Sequence, residues 1–268
     1  MYKILALDLD GTLTNSKKEI TPHTLEVLIQ AQQKGLRLVL ASGRPLEGII
    51  HLAEQLRLKD YGGYILAFNG GLIIDCATGE HIKEELLDTS VYQHLYEVGN
   101  TEDFTIFSYL DHCVACEDIE NEYVCYAARL NRMGLRKLNN FLKEINFPEP
   151  KCLITGNEEK LALLEQELTK YYEDKMSIYR SEPFFLEILP FGIDKAKCLE
   201  FLLNYLGLKK EELMVCGDGY NDLSMIEYAG LGVAMSNAQQ VVKEAADYIT
   251  LSNEEDGVAA AVKKFIRL

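Results

Sequence analysis

Asp8 and Asp10 stand two residues apart where the apolar run Tyr2-Lys3-Ile4-Leu5-Ala6-Leu7 gives way to Asp8-Leu9-Asp10-Gly11-Thr12-Leu13. A carboxylate can attack phosphorus, and a second carboxyl nearby can protonate the leaving oxygen and later deprotonate water. Three more polar segments follow apolar runs: Ser42-Gly43-Arg44, Asn69-Gly70-Gly71 and Gly217-Asp218-Gly219-Tyr220-Asn221-Asp222. Their glycines remove Cβ where backbone must approach a phosphate closely. Lys195 follows Asp194, a good helix N-cap, and so can send an ammonium from a first helical turn. Four carboxylates at one rim, Asp8, Asp10, Asp218 and Asp222, repel one another unless a cation sits among them, and an all-oxygen site of this kind suits Mg²⁺.

The elements around these segments alternate. Tyr2 to Leu7 reads as a buried strand, Thr21-Pro22 as an N-cap with proline at the first helical position, and Leu25, Leu28, Ile29 and Gln32 as one face of a helix stopped at Gly35. Leu36 to Ala41 and Tyr64 to Phe68 are further strands, with a helix from Pro45 to Leu56 between them. This rhythm predicts a parallel sheet covered on both faces, which binds ligands beyond the carboxyl ends of its strands. It breaks after Ile74. Residues 83–188 read as helices near 89–98, 121–131, 134–145 and 157–173 and strands near 104–109, 113–117, 151–155, 176–180 and 184–189, an α+β insert around a mostly antiparallel sheet. That segment holds 21 acids and 11 bases, against 21 and 16 in the remainder. Alternation resumes with helices at 194–206, 220–229, 238–245 and 256–266 and strands at 213–216, 231–234 and 248–250. The expected organisation is one core from 1–82 and 189–268, with 83–188 inserted.

The segments at 8–13, 42–44 and 217–222, with Lys195, resemble the four ordered motifs of the haloacid dehalogenase-like hydrolases. The insert resembles the large cap of subfamily IIB, the Cof-type phosphatases, so the implied fold is a Rossmann-like α/β core with an inserted α+β cap. The resemblance implies that Asp8 is the nucleophile forming an aspartyl-phosphate and that Asp10 is the general acid and base, with its main-chain carbonyl on Mg²⁺. Asp218 would be the third protein ligand of the ion, and Asp222 would hold a metal-bound water. Ser42, Gly43, Lys195 and Asn221 would bind the transferring phosphoryl group. Arg44 and Asn69 would lie near the phosphate or the leaving group. Phe68 and Ala196 stand where the family has smaller residues. The implied enzyme is a Mg²⁺-dependent phosphatase of small phosphorylated metabolites, sugar phosphates foremost, whose cap supplies specificity.

Composition bounds the alternatives. A net charge of -15 repels phosphate backbones and anionic lipid, so neither nucleic acid nor a membrane surface is an expected partner. The longest uncharged stretch, Tyr228 to Val242, is 15 residues and is broken by Gly230 and Gly232, too short for a bilayer. Asp8 and Asp10 come before any long apolar run, unlike a signal peptide, and the seven scattered cysteines suit free thiols, so the cytoplasm is the expected compartment. By itself an Asp-x-Asp-Gly is usually a solvated turn, Asn69-Gly70 a favoured hairpin turn, and Arg44 a partner for a neighbouring carboxylate. His112-Cys113-Val114-Ala115-Cys116 lacks a second ligand pair for zinc, and Tyr171, Tyr172, Phe184 and Phe185 read as core rather than as a sugar platform. The rival functions are a phosphomutase or phosphotransferase on the same fold and a non-catalytic phospho-ligand sensor. Oligomeric state and the leaving group are not encoded in any recognisable motif.

Overall fold

The computed structural model describes residues 2–268. In chain order it begins β1 (Ile4–Leu7), α1 (Pro22–Gln33), β2 (Arg37–Ala41), α2 (Glu47–Gln55), α3 (Leu58–Tyr61), β3 (Tyr64–Ala67), β4 (Leu72–Asp75) and β5 (His81–Glu84). It continues with α4 (Tyr92–Gly99), β6 (Phe104–Leu110), β7 (Cys113–Cys116), α5 (Glu122–Leu130), β8 (Gly134–Lys137), α6 (Phe141–Glu144), β9 (Cys152–Gly156), α7 (Glu158–Tyr172), β10 (Met176–Glu182) and β11 (Phe185–Pro190). It closes with α8 (Lys195–Tyr205), β12 (Leu213–Gly217), α9 (Leu223–Tyr228), β13 (Leu231–Ala234), α10 (Gln240–Ala245), β14 (Tyr248–Ile249) and α11 (Gly257–Phe265). Two compact units result: the chain up to Lys83 together with Asp194–Leu268, and Glu84–Ile193.

The first unit is built on an eight-stranded sheet of order β14-β13-β12-β1-β2-β3-β4-β5. Every residue of β1, β3, β12 and β13 is buried, as in strands covered on both faces. The sheet is parallel from β14 to β3. β4, a strand the alternation does not predict, turns back antiparallel to β3 through a single 3-10 turn at Phe68–Gly70, beside the six parallel strands. Asn69 makes that turn possible by adopting φ 57°, a left-handed conformation that asparagine tolerates better than most residues. α1 starts as its sequence predicts, with Thr21 Oγ accepting from the Thr24 amide at 3.1 Å and Pro22 in the first turn. The expected helix over 220–229 opens with a 3-10 turn at Tyr220–Asp222 and becomes α only from Leu223.

The insert carries a six-stranded sheet of order β10-β11-β9-β6-β7-β8. Its pairs are antiparallel except β7 with β8. That parallel pair corrects the expectation of a helix over 134–145: Gly134–Lys137 pairs residue by residue with Cys113–Cys116, and Asn140 caps only the one-turn helix Phe141–Glu144. The apolar spacing of Leu138, Phe141, Leu142 and Ile145 imitates a helix, but edge pairing takes the first half of the segment. Ile106, Cys152, Ile154, Leu186 and Ile188 join Leu95, Leu161, Leu164 and Leu168 from the helices in one core. Glu187, between Leu186 and Ile188, therefore points to the other face of the sheet, where its carboxylate meets Lys151 Nζ at 3.1 Å. Tyr172 and Phe185 are buried, but Tyr171 is exposed and lies against His94 with ring centroids 4.4 Å apart, contrary to the core reading. All seven cysteines are free thiols.

Candidate active site

β1 and β12 lie side by side in parallel register, Ile4 opposite Leu213 and Leu7 opposite Cys216, so Asp8 and the loop after Gly217 leave the sheet at the same end. The Asp8 amide donates to the Cys216 carbonyl at 3.1 Å, which ties the two loops at their roots. α8 starts nearby: Asp194 Oδ1 accepts from the Lys197 amide at 3.1 Å, and Lys195 in the first turn sends its side chain inward. Lys195 Nζ donates to Asp8 Oδ1 at 2.7 Å and to Asp222 Oδ1 at 2.6 Å, with all three residues buried. Asp8 Oδ2 has no protein donor among the described residues.

Asp222 has a second task. Its Oδ2 accepts from the amides of Asp218 and Gly219, both at 2.9 Å, and so folds the loop that presents Asp218. Asp218 Oδ1 in turn accepts from Thr12 Oγ at 2.6 Å. Gly11, at φ 84°, admits this approach, because a Cβ there would stand 2.4 Å from Asp218 Oδ2. Asp8, Asp218 and Asp222 each offer a carboxylate oxygen within 4.8 Å of the others, the one group of this kind among the described residues. Oxygen-only donors at this spacing, with three negative charges against the single ammonium of Lys195, fit a divalent cation.

The electrostatics agree with that fit. Burial, then the Asp222 charge, raises the Asp8 carboxyl well above the usual carboxylate range despite Lys195. Burial also lifts Asp218 to about 6, against the pull of the Thr12 hydroxyl and with the help of Asp222. Lys195 stays a cation: burial opposes its charge, and Asp222 and Asp8 overcome that. Burial first and the neighbouring carboxylate charge second thus push both carboxyls upward, which a bound cation would offset.

Asp10 is arranged differently. Its side chain does not join the three-carboxylate group but meets three cationic donors: Arg44 Nε on Oδ2 at 2.8 Å, Arg44 Nη2 on Oδ1 at 2.6 Å and Lys18 Nζ on Oδ1 at 2.6 Å. Burial would raise the Asp10 carboxyl, yet the hydrogen bonds and charges of Arg44 and Lys18 together hold it below its ordinary value. Arg44 is buried and is also fixed by donation from Nη1 to the Gly48 carbonyl at 3.2 Å. Four carboxylates around Lys195 thus resolve into three there and one in an ion-paired group of its own.

The ends of β2, β3 and β12 meet through Ser42, Asn69 and Asn221. The Asn69 amide donates to the Ser42 carbonyl at 2.8 Å, the Arg44 amide to Ser42 Oγ at 3.2 Å, and Asn221 Nδ2 to Asn69 Oδ1 at 3.3 Å. Gly43 packs on the Asn69 amide, which a Cβ would reach at 3.2 Å. Ser42, Gly43, Arg44, Lys195, Asp218 and Asn221 therefore sit with Asp8 and Asp10 at the carboxyl ends of one sheet. Cys113 and Cys116 lie in β7 of the insert and join no metal-ligating group among the described residues. Sequence reasoning left out Thr12 and Lys18. Thr12 carried a signal, a hydroxyl inside the first loop, whereas Lys18 had none, because its reach to Asp10 depends on a left-handed backbone at φ 61°.

The sequence profile of the haloacid dehalogenase-like hydrolases matches residues 5–262. YxeH of Bacillus subtilis (strain 168), provisionally named a phosphatase, is 35% identical over 272 residues, covering 99% of each chain. YcsE of the same organism, a 5-amino-6-(5-phospho-D-ribitylamino)uracil phosphatase, is 31% identical over 264 residues, covering 98% of this chain and 96% of its own. Among solved structures, a haloacid dehalogenase-like hydrolase from Bacteroides thetaiotaomicron superposes with a TM-score of 0.96 at 50% identity, covering 99% of this chain and 100% of its own. The subclass IIB sugar phosphatase BT4131 follows at 0.82 and 27%, covering 98% of both. Among the described residues no helix is long and apolar enough to cross a membrane. A profile match over nearly the whole chain, close relatives that are phosphatases and a lysine-bridged carboxylate group at the strand ends all agree: the chain belongs to the haloacid dehalogenase-like hydrolases and is a Cof-type phosphoric monoester hydrolase.

Proposed function

We infer that the chain is a Mg²⁺-dependent phosphatase of small phosphorylated metabolites, sugar phosphates foremost, and that its first step forms an aspartyl-phosphate on Asp8. The observation that carries this reading is the buried Asp8 carboxylate, held on one oxygen by Lys195 and left without a protein donor on the other. Mg²⁺ would be held by the carboxylates of Asp8 and Asp218 and the main-chain carbonyl of Asp10, and when bound it supplies charge neutralisation for a dianionic substrate. Asp8 Oδ2 attacks phosphorus while Lys195 keeps the carboxylate oriented. Asp10 gives a proton to the leaving oxygen as the P–O bond breaks, then takes one from the water that hydrolyses the acyl phosphate. Ser42, the Gly43 backbone, Lys195 and Asn221 grip the phosphoryl oxygens, and Arg44 positions Asp10. Asp222 shapes the loop that carries Asp218. Residues 1–82 and 189–268 carry the chemistry in this reading, and 83–188 set substrate choice. The sugar preference rests on BT4131 and on the phosphoribityl substrate in the name of YcsE.

Phosphate release across a panel of sugar phosphates, nucleotides and cofactor phosphates tests the reading. Release should vanish with a chelator and return with Mg²⁺. Ca²⁺, which takes more ligands and accepts carboxylates in bidentate fashion, should bind without restoring turnover. Full release in chelator, or equal rates with the two ions, would overturn it.

A further inference from the structure

The turn that reverses the chain between β3 and β4 runs through three left-handed residues in succession: Phe68 at φ 53°, Asn69 at φ 57° and Gly70 at φ 100°. Glycine adopts this conformation freely and asparagine with little strain, but a bulky residue such as Phe68 keeps it only where its surroundings over-determine it. The determinants come from two sides. From the loop after β2, the Arg44 and Ser42 carbonyls accept from the Phe68 and Asn69 amides at 3.0 and 2.8 Å. From α8, the Cys198 thiol donates to the Gly70 carbonyl, with Sγ 2.8 Å from the oxygen, and both residues are buried. The approach is so close that a Cβ on Gly70 would stand 2.6 Å from Cys198 Cβ. Cys198 follows in the same helix as Lys195, whose ammonium holds Asp8. One thiol therefore fastens the strained turn to the helix that presents the active-site lysine.

What the turn carries is Asn69. Its carboxamide supports two groups that grip the phosphoryl oxygens in the mechanism above. Oδ1 accepts from Asn221 Nδ2 at 3.3 Å, and the Gly43 backbone packs against the amide so tightly that a Cβ on Gly43 would lie 3.2 Å from both Nδ2 and Oδ1. A rotation of the backbone at Gly70 would swing Asn69 away from both. We propose that Cys198 is a positioning residue: by holding the Gly70 carbonyl it aims Asn69, and through Asn69 it keeps Gly43 and Asn221 set for the phosphoryl group. The inference rests on the gripping role given to Gly43 and Asn221. Cys198 itself touches neither phosphate nor ion. The phosphoryl oxygens are held before and during attack alike, so losing the thiol weakens phosphate binding more than it slows the chemical step.

Two measurements on the Mg²⁺-loaded full chain separate this role from a structural one: the Kd of inorganic phosphate by calorimetry, which needs no turnover, and steady-state hydrolysis of p-nitrophenyl phosphate. Cys198→Ala should raise both Kd and KM about tenfold, the size of one net hydrogen-bond contribution, and change kcat less than about twofold. Cys198→Ser keeps a donor within reach of the same carbonyl and should bring Kd and KM back to within about twofold of the unsubstituted chain. A purely structural thiol would lower the melting temperature of the alanine variant and leave Kd where it was. An unchanged Kd, a serine variant no better than alanine, or a fall in kcat at constant KM overturns the proposal. Asn221→Ala tells which reading has failed. If it weakens phosphate binding while Cys198→Ala does not, only the role of Cys198 is wrong; if it leaves Kd unchanged, Asn221 does not grip the phosphate and both readings fall.

Discussion

The core buries the charged side chains of Asp8, Arg44, Lys195 and Asp222, and the insert those of Lys151 and Glu187, on opposite kinds of backbone. In the core every one of these residues stands in a loop or a first helical turn and none inside a strand. Neighbouring amides, hydroxyls and further carboxylates surround them, and around Lys195 the three carboxylates of Asp8, Asp218 and Asp222 leave negative charge in excess. In the insert Glu187 lies inside β11 and Lys151 directly precedes β9. That pair is balanced one for one. Buried charge in excess is a device for binding something of opposite sign; balanced buried charge within strands needs nothing further and acts on the fold.

The sharpest break between the two would come from Asp8→Asn. It should lower turnover by about 10⁴-fold or more, as losses of a nucleophile do, while the melting temperature holds or rises, because one of three crowded carboxylates has lost its charge. A melt that falls along with turnover would mean that the core charges are structural as well. The converse change is Lys151→Met, which leaves Glu187 buried without its partner and should cost about 3–5 kcal/mol in urea unfolding. Adding Glu187→Leu should return most of that, since a matched apolar pair replaces a matched ionic one. If the single change costs nothing, the pair is not a fold determinant.

A smaller effect follows from Asp218, which burial lifts from 3.8 to about 6. Without a divalent ion the folded chain holds a proton there that the unfolded chain releases. This contribution to stability is complete at low pH and is lost as pH rises through that interval. The ion competes with the same proton, so the rise in melting temperature on adding Mg²⁺ should be small at pH 5 and reach its full size by pH 7. A constant increment would place the ion elsewhere. Smallest of all is Cys113→Ser with Cys116→Ser, which should leave phosphate release unchanged; zinc lost together with activity in that variant would contradict it.

How much of this was legible follows from the same contrast. The loops at 8–13, 42–44 and 217–222 could be read because each is contiguous and each ends an apolar run, so strand order alone brought them together. Arg44 could be placed nearby, but not on Asp10 rather than on a phosphate, because a guanidinium's partner depends on distances between loops. The antiparallel return of β4 and the strand at Gly134–Lys137 were unreadable for a different reason. The state of each is decided by the strand alongside, and at the edge strand Gly134–Lys137 the helical spacing of Leu138, Phe141 and Ile145 points the other way. Lys151 and Glu187 are 36 residues apart and in no motif, and only the sheet register makes them partners.

The position of β1 bears on the moment at which the protein can first work. Its four residues pair on one side with β2, thirty-odd positions later, and on the other with β12, beginning at Ile4 opposite Leu213. The loop after β1 is then fastened to Asn237, Asn253 and Glu254. The loop that carries Asp8 is therefore fully fastened only once the segment through Glu254 is in place. Pairings of such long sequence separation are slow to close. Until β12 pairs, the strand that ends in Asp8 is open on one side.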